Sequence, residues 1–162
     1  MATLNQSSSV QTLKLIVFSL GQSSTKLLYL GVEINSVKKI ISQTTIHSSG
    51  QTLAGVAHLD DQEVTIVDLH RSVFGRPIPE ASYLVVLGLT SGELLGIPVE
   101  KSPALVEVPT TNVRVLPASY RQVDTLSIAS HVTVAETEDG SQTIFLLDPT
   151  QMIDLLPRLA SR

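Results

Sequence analysis

The sequence predicts an all-β fold with short helices, in which two similar small barrels are fused in one chain of 162 residues and followed by a C-terminal helix. The main observation is an internal repeat: Leu20–Glu33 and Leu87–Glu100 align without a gap, and half of their positions are identical. Short β-branched and apolar runs separated by turn residues indicate strands. Because small antiparallel barrels close to remove exposed edges, a repeated set of strands favours two barrels.

The first half contains two predicted hairpins. In the first, Lys14–Leu20 is rich in β-branched and aromatic residues, and Leu27–Ile34 follows after a polar turn. In the second, Leu53–Leu59 and Glu63–Asp68 flank the turn 60–62, where aspartate side chains can bond their own backbone. Between the hairpins, residues 37–41 are expected to be extended or briefly helical.

A short helix is predicted to close the first half. Asp68 is placed to cap a helix over Leu69–Phe74, and Gly75 is placed to end it. Pro77 and Pro79 then break both helix and central strand. The boundary between the halves is therefore expected here.

The second half repeats this order. Tyr83–Leu89 and Glu93–Val99 form one predicted hairpin, and Leu126–Val134 and Thr143–Leu147 form another, with a proline-punctuated connector over 103–117 between them. Asp148 and Pro149 then provide an N-cap and a first helical position. The apolar face expected for this last helix consists of Met152, Ile153, Leu155, Leu156 and Leu159.

Composition excludes several classes of function. The formal net charge of −4 argues against nucleic acid, which is bound by lysine and arginine. The absence of cysteine excludes disulfides and thiolate zinc sites and suits a reducing cytoplasm. No secretion signal or membrane span is visible in the sequence, so the chain is expected to be soluble and cytoplasmic, with residues 1–12 flexible.

No enzyme motif is present. The chain has no G-x-S-x-G elbow, phosphate-binding loop or dinucleotide fingerprint. Asp68 and His70 offer too few ligands for a metal, and the acidic turn 60–63 lacks the spacing of a calcium loop. His58 and His131 occupy matching places in the two repeats, which favours a structural role. We therefore expect no catalytic residue, metal or cofactor.

Three segments resemble one known family, the CheW-like adaptors of bacterial chemosensory arrays, over Leu15–Leu156. Gly55–Leu69 reads G-V-A-H-L-D-D-Q-E-V-T-I-V-D-L and is similar to the family pattern G-V-x-N-L-R-G-x-x-V-P-[IV]-[IV]-D-L. Gly31–Ile40 is similar to G-[IV]-x-[IV]-x-x-V-x-E-I, and Leu146–Asp148 matches the family's L-L-D.

The resemblance implies a fold and a function. The fold is two five-stranded SH3-like barrels in a single domain over 13–156, with the first barrel over about 13–75, the second over about 80–156, and a tail over 157–162. The function is that of a non-catalytic adaptor. Its partners are the regulatory domain of a chemotaxis-type histidine kinase and the cytoplasmic tip of a chemoreceptor, in a pathway of taxis or pilus-driven motility.

The chain departs from the family pattern at charged positions. Asp60 replaces the family's arginine, Asp61 its glycine, and Lys39 its glutamate. The resemblance places such positions on or beneath the partner-contacting surface, so our candidate partner-binding residues are Val37, Lys39, His58, Asp60 and Asp61. Because like charges across an interface cost several kcal/mol, the reversed charges predict an altered partner.

Two other functions are kept open. A ligand-binding β-barrel module unrelated to kinase coupling would need a pocket lined with aromatic side chains, and the chain has only three Phe and three Tyr. A hydrolase would use His58 or His70 as its base, but no nucleophile context accompanies either residue.

Overall fold

The computed structural model describes residues 11–21, 27–42, 54–76, 78, 81–117, 119, 128–138 and 140–152. Within these ranges the chain is mostly β, as predicted, with two single 3₁₀ turns at Ile34–Ser36 and Thr110–Asn112 and a short helix α1 at Leu69–Phe74. The strands are β1 (Thr12–Leu20), β2 (Leu28–Glu33), β3 (Val37–Ser42), β4 (Ala54–Leu59), β5 (Gln62–Val67), β6 (Tyr83–Gly88), β7 (Leu94–Val99), β8 (Ala104–Pro109), β9 (Arg114–Val115), β10 (Ala129–Thr137) and β11 (Gly140–Leu147).

The strands form two sheets. A six-stranded sheet has the order β8-β1-β2-β11-β10-β9, and a five-stranded sheet has the order β3-β6-β7-β5-β4. Each sheet therefore takes strands from both halves of the sequence. The predicted division into 13–75 and 80–156 does not describe the sheets, because β2 pairs in parallel with β11, and β7 pairs in parallel with β5.

The internal repeat is preserved in the hairpin register. Leu20 lies opposite Leu28 in β1–β2, and the repeat-equivalent Leu87 lies opposite Leu95 in β6–β7. All four leucines belong to one apolar cluster that contains side chains of both sheets, three of them fully buried or nearly so and Leu28 partly buried. The two sheets thus share this cluster, which we call the shared core, and each sheet also has a buried apolar cluster of its own.

Two predictions for the connecting segments need correction. The proline-punctuated connector contains β8, which pairs with β1 from Ala104 to Pro109. Of the segment 1–12 predicted to be flexible, residues 11 and 12 are described and ordered, since Thr12 pairs with Pro109 and the carbonyl of Gln11 accepts a hydrogen bond from the N–H of Thr110 at 2.9 Å. β8 is an edge strand with a proline just before it and another at its end, and prolines there are compatible with pairing on the inner side only. These prolines led the sequence prediction to a connector instead of a strand.

The predicted caps of α1 are confirmed. The Asp68 carboxylate accepts a hydrogen bond from the N–H of Arg71 at 3.1 Å, and Gly75 ends the helix with a φ of 74°. The N–H of Gly75 donates to the carbonyl of Arg71 at 2.9 Å. A glycine adopts this left-handed conformation without the steric cost of a Cβ.

The last helix begins as predicted at Pro149, after Asp148. The Asp148 carboxylate accepts from the N–H of Thr150 at 3.0 Å, and Met152 is fully buried in the shared core. The other residues of the predicted apolar face, 153–159, and the tail over 157–162 lie outside the described residues. No helix in the described ranges is long and apolar enough to span a membrane.

Candidate functional site

An ion pair connects the two outer strands of the five-stranded sheet. The Lys39 Nζ on β3 lies 2.5 Å from the Asp60 Oδ2 in the β4–β5 turn. β3 and β4 are the two edges of the sheet, and no backbone pairing joins them within the described residues. The ion pair therefore links the edges at one end of the sheet.

Lys39 and Asp60 are the two residues whose charges are reversed relative to the family pattern. Both side chains are exposed, with relative accessibilities of 42% for Lys39 and 80% for Asp60. The hydrogen bond from Lys39, followed by its positive charge, lowers the pKa of the Asp60 carboxyl below the ordinary value of 3.8. The two departures from the family pattern are thus one compensated pair rather than two independent changes.

The turn that carries Asp60 has an unusual backbone. Asp60 and Asp61 have positive φ values of 50° and 64°, and Leu59 pairs with Gln62 across them. Two left-handed residues in a two-residue hairpin loop are the signature of a type I′ turn, which favours glycine at its second position. Asp61 occupies this position, where the family pattern has glycine, and aspartate tolerates it better than most residues.

The other predicted partner-binding residues take different places. Val37 is partly buried and packs against the shared core, beneath the surface rather than on it. His58 is exposed on the outer face of the β4–β5 hairpin, opposite Glu63. Asp61 is exposed beside Asp60. The structure therefore brings Lys39 into contact with Asp60, with Asp61 next to Asp60 in the turn; His58 lies on the outer face of the hairpin, and Val37 is the first residue of β3.

Beside the ion pair lies a groove of about 440 Å³ at the end of the five-stranded sheet. We call it the end groove and define it by Lys38, Lys39, Leu59, Val64, Gly88 and Leu94. Its base is apolar, since Val64 and the neighbouring Val86 are fully buried.

Sequence reasoning missed two residues of this groove, Lys38 and Gly88. A Cβ placed on Gly88 would lie only 2.3 Å from Lys38 Cε, so the aliphatic chain of Lys38 crosses the space that glycine leaves. The register between β3 and β6 shifts between Val37 and Lys39, which places Lys38 in a bulge. Neither residue carries a separate signal for the groove in the sequence, although Gly88 is the counterpart of Gly21 in the internal repeat.

Two histidines outside the groove, His70 and His131, make hydrogen bonds within the fold. His70 is buried, and its Nδ1 lies 2.8 Å from the carbonyl oxygen of Arg76. His131 Nδ1 lies 2.8 Å from Ser130 Oγ, whereas His58 has no hydrogen bond among the described residues, so the two histidines do not share the predicted structural role. Among the described residues, no group of three histidines or carboxylates is arranged to hold a metal ion.

Comparison with known proteins identifies relatives of this arrangement. The family described as CheW-like domain matches residues 14–156. Among solved structures, the scaffolding protein TtCheW from Thermoanaerobacter tengcongensis superimposes with a TM-score of 0.65 at 17% identity, over 85% of this chain and 85% of that chain. Comparison with curated proteins gives no match.

Proposed function

Because the chain belongs to the CheW-like family, we propose that it is a non-catalytic cytoplasmic adaptor. In this proposal it couples the cytoplasmic tip of a chemoreceptor to the regulatory domain of a chemotaxis-type histidine kinase, in a pathway of taxis or pilus-driven motility. Residues 13–156 would act as one unit, since both sheets contribute to the shared core.

The observation that carries the proposal is the Lys39–Asp60 ion pair. The family pattern has glutamate and arginine at these positions, and here the two charges are exchanged while an ion pair is formed. An exposed ion pair contributes little to stability, typically below about 1 kcal/mol. An exposed pair at this place on the sheet edges is therefore better suited to contact with a partner than to holding the fold together.

The surroundings of the pair support a docking surface. The end groove provides an apolar base, and Lys38, Lys39 and the Asp60 bonded to Lys39 provide exposed charges at or beside it. A desolvated apolar centre with a polar rim is the usual composition of a protein interface. Charges at such a rim select partners and set association rates more than they add affinity.

The test is a binding assay with the regulatory domain of the histidine kinase from the same genome. Wild type should bind this domain, and Lys39→Glu combined with Asp60→Arg should lose most of the binding while unfolding at the same urea concentration. The matched control is Arg114→Glu combined with Glu136→Arg, which reverses two exposed charges on the six-stranded sheet. Equal binding by all three proteins would contradict the proposed docking surface.

The alternative of a ligand-binding barrel has less support. It requires an aromatic-lined pocket, and no aromatic side chain lines the end groove. Absence of binding to the kinase domain by wild type, together with binding of a small carbohydrate in the groove, would favour that alternative over the adaptor.

A further inference from the structure

We propose that the end groove binds an aliphatic side chain of the docking partner, while Lys38 binds the carboxylate of the neighbouring residue of that partner. The inference rests on the proposed function, because it names the chemistry that the docking protein must present. It assigns roles to Lys38 and to the apolar base of the groove, which the sequence pattern did not single out.

The base of the groove is suited to an aliphatic group. Val64 and Val86 are fully buried, and Leu59 and Leu94 are partly buried beside them. The groove volume of about 440 Å³ lies within the range of ~300–1,000 Å³ found for small-ligand sites. Burial of one aliphatic side chain here removes from water its own apolar surface and the exposed parts of Leu59 and Leu94, which is the main favourable contribution to association.

Lys38 provides a cation that the protein itself does not neutralise. Lys39 bonds Asp60, but Lys38 has no hydrogen-bond or ion-pair partner in the described part of the chain. The Lys38 stem is confined above Gly88, so its exposed ammonium is held at the rim of the groove. A lysine whose stem is already ordered loses less conformational entropy when it forms an ion pair.

The charges around the groove favour a carboxylate over a more strongly charged anion. The Asp60 carboxylate is paired with Lys39, which lines the groove, and Asp61 follows Asp60 in the same turn; both aspartates are exposed. A phosphate group carries about −1.5 to −2 charges at neutral pH and would be repelled more strongly by these aspartates than a carboxylate would. A glutamate or aspartate next to an aliphatic residue is therefore the complementary partner sequence.

The test uses the full ¹⁵N-labelled chain and two synthetic peptides, acetyl-Ala-Leu-Glu-Ala-amide and acetyl-Ala-Leu-Gln-Ala-amide, at millimolar concentrations. Amide signals of Lys38, Gly88 and Leu94 should shift on titration, and the glutamate peptide should bind about two- to five-fold more tightly, a ratio typical of an exposed ion pair. Lys38→Gln should remove that preference while leaving the aliphatic contribution. Lys101→Gln, an exposed lysine just after the far end of β7, should leave the preference unchanged.

Gly88→Ala provides a second variant, because its Cβ displaces the Lys38 stem and should reduce the preference without removing the ammonium. The proposal is overturned if neither peptide shifts the groove amides, or if the preference for glutamate persists in Lys38→Gln. If either of these results is obtained while wild type still binds the kinase domain, this inference alone is rejected. If wild type does not bind the kinase domain at all, the proposed function is rejected.

Discussion

Asp68 joins the start of α1 to the segment that follows the helix. One carboxylate oxygen accepts from the N–H of Arg71, and the other accepts from the N–H of Ile78 at 3.0 Å, ten residues further along the chain. A single side chain therefore both caps the helix and holds the connection toward β6 close to it. The sequence predicted the cap but offered no signal for the second bond.

Removal of this carboxylate should destabilise the protein. Asp68→Ala leaves the N–H groups of Arg71 and Ile78 without their partner, and loss of an N-cap alone costs ~0.5–2 kcal/mol. We expect the free energy of unfolding in urea to fall by about 2 kcal/mol. Asp68→Asn is the matched control, because asparagine still caps helices and retains one acceptor oxygen. Equal stability of Asp68→Ala and wild type would contradict the double role.

A methyl group on Gly96 should strain the interior of the five-stranded sheet. Its Cβ would lie 2.8 Å from Ile66 Cδ1 and 3.1 Å from both Leu84 Cδ1 and Val64 Cγ1. Overpacking a core typically costs ~1–3 kcal/mol, and we expect Gly96→Ala to lower the urea midpoint accordingly. Ile66→Val removes the nearest methyl group, so Gly96→Ala should cost less in that background. Identical costs in both backgrounds would show that the strain does not come from Ile66.

The Asp60 carboxyl should report the ion pair through its titration. Lys39 lowers the folded-state pKa of Asp60 below 3.8, so the pair stabilises the fold above the unfolded pKa and this contribution is lost as the pH falls through the folded pKa. In Lys39→Gln, the Asp60 pKa measured by NMR should rise toward 3.8. Added salt should raise it in wild type, because exposed charges are screened. An Asp60 pKa unaffected by Lys39→Gln would show that the pair is not formed in solution.

Local features of the fold were accessible from the sequence because short-range chemistry determines them. Asp68 and Gly75 mark the ends of α1, and the repeat predicted two hairpins whose registers indeed match. The combination of hairpins from both halves in each sheet could not be predicted from the sequence. The parallel pairing of Tyr29 with Ile144 depends on packing between distant segments. β8 was missed for a related reason, since Pro109 gives a connector signal even at the end of an edge strand.

The candidate site was accessible only in part. Charge reversal at Lys39 and Asp60 was visible in the pattern, but their contact joins residues on opposite edges of a sheet. Lys38 and Gly88 gave no separate signal, because the proximity of a lysine stem to a glycine is produced by the bulge in β3.

Because each sheet contains strands of both halves, the order in which the chain can fold is also constrained. The parallel neighbour of β2 is β11, so Tyr29 cannot pair with Ile144 during synthesis until Ile144 has left the ribosome. Pairing between residues so far apart in sequence slows folding, because the chain loses loop-closure entropy before the stabilising contacts form. We expect neither half, cut at the proline-rich junction after residue 75, to fold alone. When mixed, the two fragments should instead fold together, with β2 pairing with β11 and β5 pairing with β7 across the two chains.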